Sequence, residues 1–283
     1  METDFYIERK LREKSPELHQ RTRDSVFILQ GMLESFLPRF PDFTDHSLLH
    51  SMDVLDYCNR LLGIDQIEQF SAAECYTLIM ACYLHDIGMG VNQKDFEEFS
   101  PHIDFENYSS EDPSDTIRAF HHEYSGLFIR KYAELLEIPT EELLFAVIQV
   151  SRGHRKTDLF DPVEYPDLQT EYGPIRTAFL AAVIRLADEI DVGEDRNSEL
   201  LFDSSKQTLL RAIKAFGTHE SIKHVEVTPD SIVLYVKPKA PEFVPLVEEL
   251  CGKIQETLDY CRRAAREHSD LRITQERSEI VNL

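Results

Sequence analysis

His85 and Asp86 are adjacent and close the apolar run Leu78-Ile79-Met80-Ala81-Cys82-Tyr83-Leu84. Burying an imidazole and a carboxylate there without partners would cost on the order of several kcal/mol. A divalent metal supplies the missing partner, because it takes neutral imidazole nitrogen and carboxylate oxygen together. Further donors of the same kind stand at His50 upstream and at His122, His154 and Asp188 downstream. Asp188 ends the largely apolar run Ala181–Ala187, where an unpaired acid would be misplaced. His50 shares a predicted helix face with Val54 and is expected to point inward. His50, His85, Asp86 and Asp188 thus lie near the ends of three predicted buried helices. Such a set suits Zn, Mn, Fe, Ni, Co or Mg, with positions left for water and substrate.

The elements that must position these groups are mostly helical up to about residue 216. Val26, Leu29, Met32, Leu33 and Phe36 form one stripe at helical spacing, ended by Pro38 and Pro41. Thr44 or Asp45 can cap a helix running through His50 and Leu61 to Gly63. Ser71 and Glu74 make a capping-box pattern ahead of the helix that delivers His85 and Asp86. Further helices are predicted from about Asp115 through His122 to Leu135, from Pro139 toward His154, and after Gly173-Pro174 to Asp188. Ser204 and Gln207 suggest one more, up to Phe216. The acidic stretch 91–115 reads as irregular, and a loop this long leaving directly after the His-Asp pair is expected to be a lid.

Beyond residue 216 the period changes. His224–Thr228 alternates, Pro229-Asp230 signals a turn, and Ile232–Val236 is apolar and β-branched, which predicts a hairpin. Pro241 separates it from an amphipathic helix over roughly Phe243 to Glu267. The expected fold class is mostly α, a helical bundle with a small C-terminal α+β appendage. The expected division is a helical metal-binding domain over 1–216, with its motif core at 44–196, and an appendage over 217–283. A hairpin alone is marginal, so the appendage must pack on the body or on a partner, and a homo-oligomer through this segment is one arrangement that satisfies it.

Composition narrows the function. With 52 acidic against 30 basic residues and a net charge of -22, the chain is a poor match for nucleic-acid backbone, which needs clustered Lys and Arg. The five cysteines include no Cys-x-x-Cys pair and lie mostly in apolar helical stretches, so buried reduced thiols and a reducing compartment are expected. No apolar run reaches the ~18 residues of a membrane span. The expected location is cytoplasmic.

The series HSMDV, LHDIGMG, HHEYSG, RGHRK and RLADEID resembles the HD-domain metal-dependent phosphohydrolases, in matching order across roughly residues 44–196. The resemblance implies His50, His85, Asp86 and Asp188 as ligands of a first metal, with His46 as runner-up for His50. Binuclear relatives add two histidines between the doublet and the late Asp. The first precedes a Gly by four, which selects His122, with Gly126, over His121; the second matches His154. HHEYSGLFI and GHRK also resemble the C-terminal HD-like portion of exopolyphosphatase/guanosine pentaphosphatase proteins, without their actin-like ATPase portion. Several subfamily marks are missing. These are the Gly-Tyr-Pro motif of cyclic di-GMP phosphodiesterases, the Glu-Asp pair of (p)ppGpp hydrolases, and the His-containing loop of dNTP triphosphohydrolases.

The family chemistry implied is hydrolysis of a phosphoester or phosphoanhydride bond in a nucleotide or other small phosphorylated substrate, assisted by one or two divalent ions that activate water. Asp86, His122, His154 and Arg155 are the catalytic candidates. His122 and His154 either complete a second metal site or serve as acid and phosphate contact. Arg152, Arg155 and Lys156 could clamp phosphate oxygens, Arg155 bidentately. Arg185 is expected to pair with Asp188 or Glu189. Two rival readings are a di-iron oxygenase on the same fold and a regulatory module that binds a nucleotide without turnover.

Overall fold

The computed structural model describes residues 5–33, 48–105, 108, 110, 113–155, 157–193 and 217–283. The Pro38–Pro41 helix end, the Thr44/Asp45 cap, His46, Lys156 and the 204–216 helix lie outside the described residues.

The element at the centre of the packing is α4 (Ala72–Leu84), all of whose residues are buried. Its start is fixed by the sequence-predicted capping box. Ser71 Oγ accepts from Glu74 N at 2.9 Å and Glu74 Oε2 accepts from Ser71 N at 2.9 Å. Two orphan amides of the first turn are thereby satisfied. Glu74 is fully buried and also receives Arg176 Nε at 2.6 Å and Nη2 at 2.8 Å, which pins the helix start to a neighbouring strand.

Around α4 pack α1 (Tyr6–Lys14), α2 (Pro16–Leu33), α3 (Leu48–Ile67), α7 (Glu141–Arg152) and α8 (Thr177–Ile190). The α3 run is broken at Gly63, where φ is 67°, as the expected helix end required. Thr140 caps α7 by accepting from Leu143 N, one residue beyond the predicted Pro139 start. Gly173 and Pro174 open β2 (Gly173–Arg176), which pairs antiparallel with β1 (Asp167–Thr170) just before α8. Four residues per strand gave the period too little length to register in the sequence.

The expected irregular stretch 91–115 is partly ordered as helix. Asn92 caps α5 (Gln93–Phe99), whose Asp95 is buried and accepts from Lys131 Nζ at 2.8 Å on α6 (Pro113–Lys131). Phe96 stacks on Tyr124 of α6 with ring centroids 5.7 Å apart. This part of the expected lid is therefore docked on α6.

The C-terminal segment forms the expected hairpin, β3 (Ile222–Val227) with β4 (Ser231–Val236), and then α9 (Val244–His268). A further strand, β5 (Arg277–Asn282), pairs parallel to β4 and completes a three-stranded sheet in the order β3-β4-β5. Its polar sequence, with Arg277, Ser278, Glu279 and Asn282 around Ile280 and Val281, hid it from a hydrophobic reading. The appendage packs on the body: α9 lies against α8, and Ile254, Leu258 and Cys261 join the same buried cluster as the α4 and α8 side chains. The fold is mostly α with a small C-terminal α+β part.

Candidate metal centre

Four imidazoles converge on one carboxylate. His50 leaves α3, His85 and Asp86 follow the end of α4, His121 leaves α6, and His154 follows the end of α7. His50 Nε2 and His85 Nε2 lie 3.1 Å apart, each 3.4 Å from Asp86 Oδ2. His121 Nε2 and His154 Nε2 lie 2.8 Å apart, at 3.1 and 3.6 Å from Asp86 Oδ1. Asp86 thus turns one oxygen to each pair. Asp188, in the last turn of α8, places Oδ1 3.3 Å from His50 Nε2 and 3.8 Å from His85 Nε2. All four imidazoles and Asp86 are buried.

The tautomers follow from the anchoring contacts. His85 Nδ1 donates to Cys82 O at 2.8 Å, His121 Nδ1 to Arg118 O at 2.8 Å and His154 Nδ1 to Ser151 O at 2.5 Å. His50 Nδ1 donates to Asp191 Oδ2 at 2.6 Å. Carbonyl and carboxylate oxygens only accept, so each Nδ1 carries the proton and each neutral Nε2 presents a lone pair. Two lone-pair nitrogens 2.8 or 3.1 Å apart repel unless a proton or a metal cation stands between them. These spacings fit ligands gathered about a common ion at ~2.0–2.2 Å. The donor set therefore fits a divalent cation at each of two groupings, His50-His85-Asp86 and Asp86-His121-His154. Charge favours the same reading. Burial, then the neighbouring imidazoles His85 and His121, push His154 well below the usual histidine range.

Local structure explains why these groups meet. Ser125 Oγ donates to His85 O at 2.6 Å and accepts from Gly88 N at 2.8 Å, so α6 is bound to the chain on both sides of Asp86. A Cβ on Gly88 would lie 2.1 Å from His121 O and 2.5 Å from Ser125 N; only glycine permits this approach. Arg185 of α8 holds the turn after α7 through Nε to Gly153 O at 2.6 Å and Nη2 to Thr157 O at 2.8 Å. It does so instead of pairing with Asp188 or Glu189, and Glu189 meets Lys253 of α9.

Of the paired histidines the resemblance pointed to His122, and the structure places its neighbour at the cluster. His121, not His122, enters the cluster, while His122 Nε2 lies 3.5 Å from Glu123 Oε1 and its buried Nδ1 has no hydrogen-bond partner among the described residues. The signal for His121 was present: Ile117, His121, Tyr124 and Phe128 follow one buried helical stripe, and His122 falls beside it. Burial, then nearby His121, Arg152 and Arg155, push His122 down to about 3. Arg152 is committed elsewhere, to Glu123 through two nitrogens at 3.1 and 2.7 Å and to Glu164 at 2.7 Å, so it is not poised as a phosphate clamp. Arg155 follows His154 and is half-buried. Sequence reasoning also missed Asp191, one turn past Asp188, whose only sequence signal is its spacing in Asp-Glu-Ile-Asp.

Comparison with curated proteins and with solved structures gave no match. Comparison with protein families gave a match to HD-CE over residues 40–270, which spans every described member of the cluster and continues across position 216 into the sheet and α9. A buried His/Asp cluster of the HD kind and a family match over most of its length together make this chain a member of the HD-CE family.

Proposed function

We propose that this protein is a metal-dependent phosphohydrolase acting on a small phosphorylated substrate of nucleotide type. The observation that carries the reading is Asp86, whose two carboxylate oxygens face two separate pairs of lone-pair imidazole nitrogens. His50, His85, Asp86 and Asp188 would hold one ion, and Asp86, His121 and His154 a second. Bound there, divalent ions would supply an acidified water nucleophile and polarise a phosphoryl oxygen.

The chain's own groups do the rest. Three backbone carbonyls and Asp191 fix every imidazole by its Nδ1, so the Nε2 lone pairs are aimed before any ligand arrives. His122 stands beside His121, with ring centroids 6.0 Å apart and its Nε2 toward Glu123. Arg155 lies close enough to His122 to act on it electrostatically and can take a phosphate oxygen. In a chain of net charge -22, the Arg155 guanidinium is a local positive group for an anionic substrate to meet. A cytoplasmic location suits five cysteines that are all buried and free, and no helix among the described residues is long and apolar enough to cross a membrane.

The test is metal analysis of protein purified without chelator, with a screen of Mn-, Co- and Ni-supplemented protein against nucleotides, cyclic dinucleotides and simple phosphodiesters. Asp86→Ala should lose bound metal and turnover together while remaining folded. Activity retained in that variant overturns the assignment. Oxygen consumption by iron-loaded protein without phosphate release would point to an oxygenase.

A further inference from the structure

We infer that Asp191 is a positioning residue that makes the two halves of the centre unequal, so that cations load in order, the His50–His85 half first. The inference rests on the two-ion reading above and adds which half binds tightly and why.

Three of the four converging imidazoles are oriented by neutral backbone carbonyls, Cys82 O, Arg118 O and Ser151 O. His50 alone is oriented by a carboxylate, Asp191 Oδ2 at 2.6 Å, and Asp191 is itself buried. A carboxylate behind an imidazole strengthens the opposite nitrogen as a donor more than a carbonyl does, because part of its charge is shared through the Nδ1–H bond. The same half gains a further carboxylate, Asp188, with Oδ1 3.3 Å from His50 Nε2. Among the described residues the other half groups His121 and His154 with the far oxygen of Asp86. Two acids back the first half, Asp191 buried behind His50 and Asp188 beside it. The first half is built to keep its ion and the second to exchange one.

Asp191 can hold this place because α8 ends there. It is the C-cap, and its backbone N–H donates to Asp188 O at 3.3 Å. The two acids therefore reach the centre from one helix end, Asp188 at the front and Asp191 behind His50.

Stepwise titration of metal-free full-length protein with Mn²⁺ against a competing chelator is the experiment, read by metal stoichiometry and affinity, not by turnover. Wild type should show two affinity classes of one equivalent each. Asp191→Asn keeps an acceptor for His50 Nδ1 but removes the charge; it should weaken the tight class by about 10–100-fold and leave the weak class in place. Asp191→Glu should recover part of the loss. Should the Asn variant fail to fold, His121→Gln and His50→Gln carry the same question: the first should abolish the weak class and the second the tight one. An unchanged tight class in Asp191→Asn, an equal loss in both classes, or removal of the tight class by His121→Gln overturns the inference. Two equal classes in wild type overturn the ordering alone, whereas no bound cation at all overturns the metal centre itself.

Discussion

Each imidazole of the centre needs two contacts, one at Nδ1 to fix its tautomer and one at Nε2 to use it. His121 has both and His122 has neither in full, since among the described residues its Nδ1 is unpartnered and its Nε2 meets only Glu123. The two variants should therefore behave differently. His121→Ala should lose about one equivalent of bound metal. His122→Ala should keep its full metal content. Metal analysis separates them, and loss of metal from the His122 variant would return that residue to the ligand set. The choice was difficult from sequence because adjacent residues on a helix differ by about 100° in direction. A motif spacing that tolerates one residue cannot resolve it; the buried stripe Ile117-His121-Tyr124-Phe128 can.

At the scale of elements, the centre depends on helix ends meeting at fixed distances. Gly88 is the tightest such contact, and Gly88→Ala should push α6 away from Asp86. We expect a stability loss of about 1–3 kcal/mol, as for overpacked cores, with weakened binding of the ion assigned to His121 and His154. Urea denaturation with metal titration reads both, and an unaffected second site would show that α6 is positioned by other contacts. Glu74 anchors the opposite end of the central helix. Its carboxylate is fully buried and serves Ser71 and Arg176 at once. Glu74→Ala leaves Arg176 without its partner and should cost about 3–5 kcal/mol, visible as a lowered melting temperature. A cost below about 1 kcal/mol, the range of exposed pairs, would mean that water reaches the pair. The capping box was readable because it is a local pattern. The β1–β2 hairpin and β5 were not, since their pairing is decided by partners elsewhere in the chain.

For the whole molecule, burying neutral imidazoles ties stability to pH. His122 falls from 6.5 to about 3 on folding, and His154 shifts in the same direction. Between those values the unfolded chain binds more protons than the folded one. Stability of the metal-free protein is therefore full above the unfolded value and lost as pH falls through the window. The slope approaches about 1.4 kcal/mol per pH unit for each such group. Comparing urea midpoints near about pH 7.5 and about pH 5.5 isolates this effect, because most carboxylates titrate lower. A midpoint that rises on acidification would show that relief of the -22 net charge outweighs the imidazoles.

The sequence by itself determined the helical class, the buried α4 with its cap, the hairpin over β3 and β4, and the types of donor available, because period, capping and residue chemistry are local properties. Tertiary structure decided which donors meet. It chose His121 over His122, set Asp191 behind His50, turned Arg152 and Arg185 into struts and docked α5 on α6. Those outcomes depend on angles and separations between helices far apart in the chain. Only the closed packing of all of them fixes such distances to within an ångström.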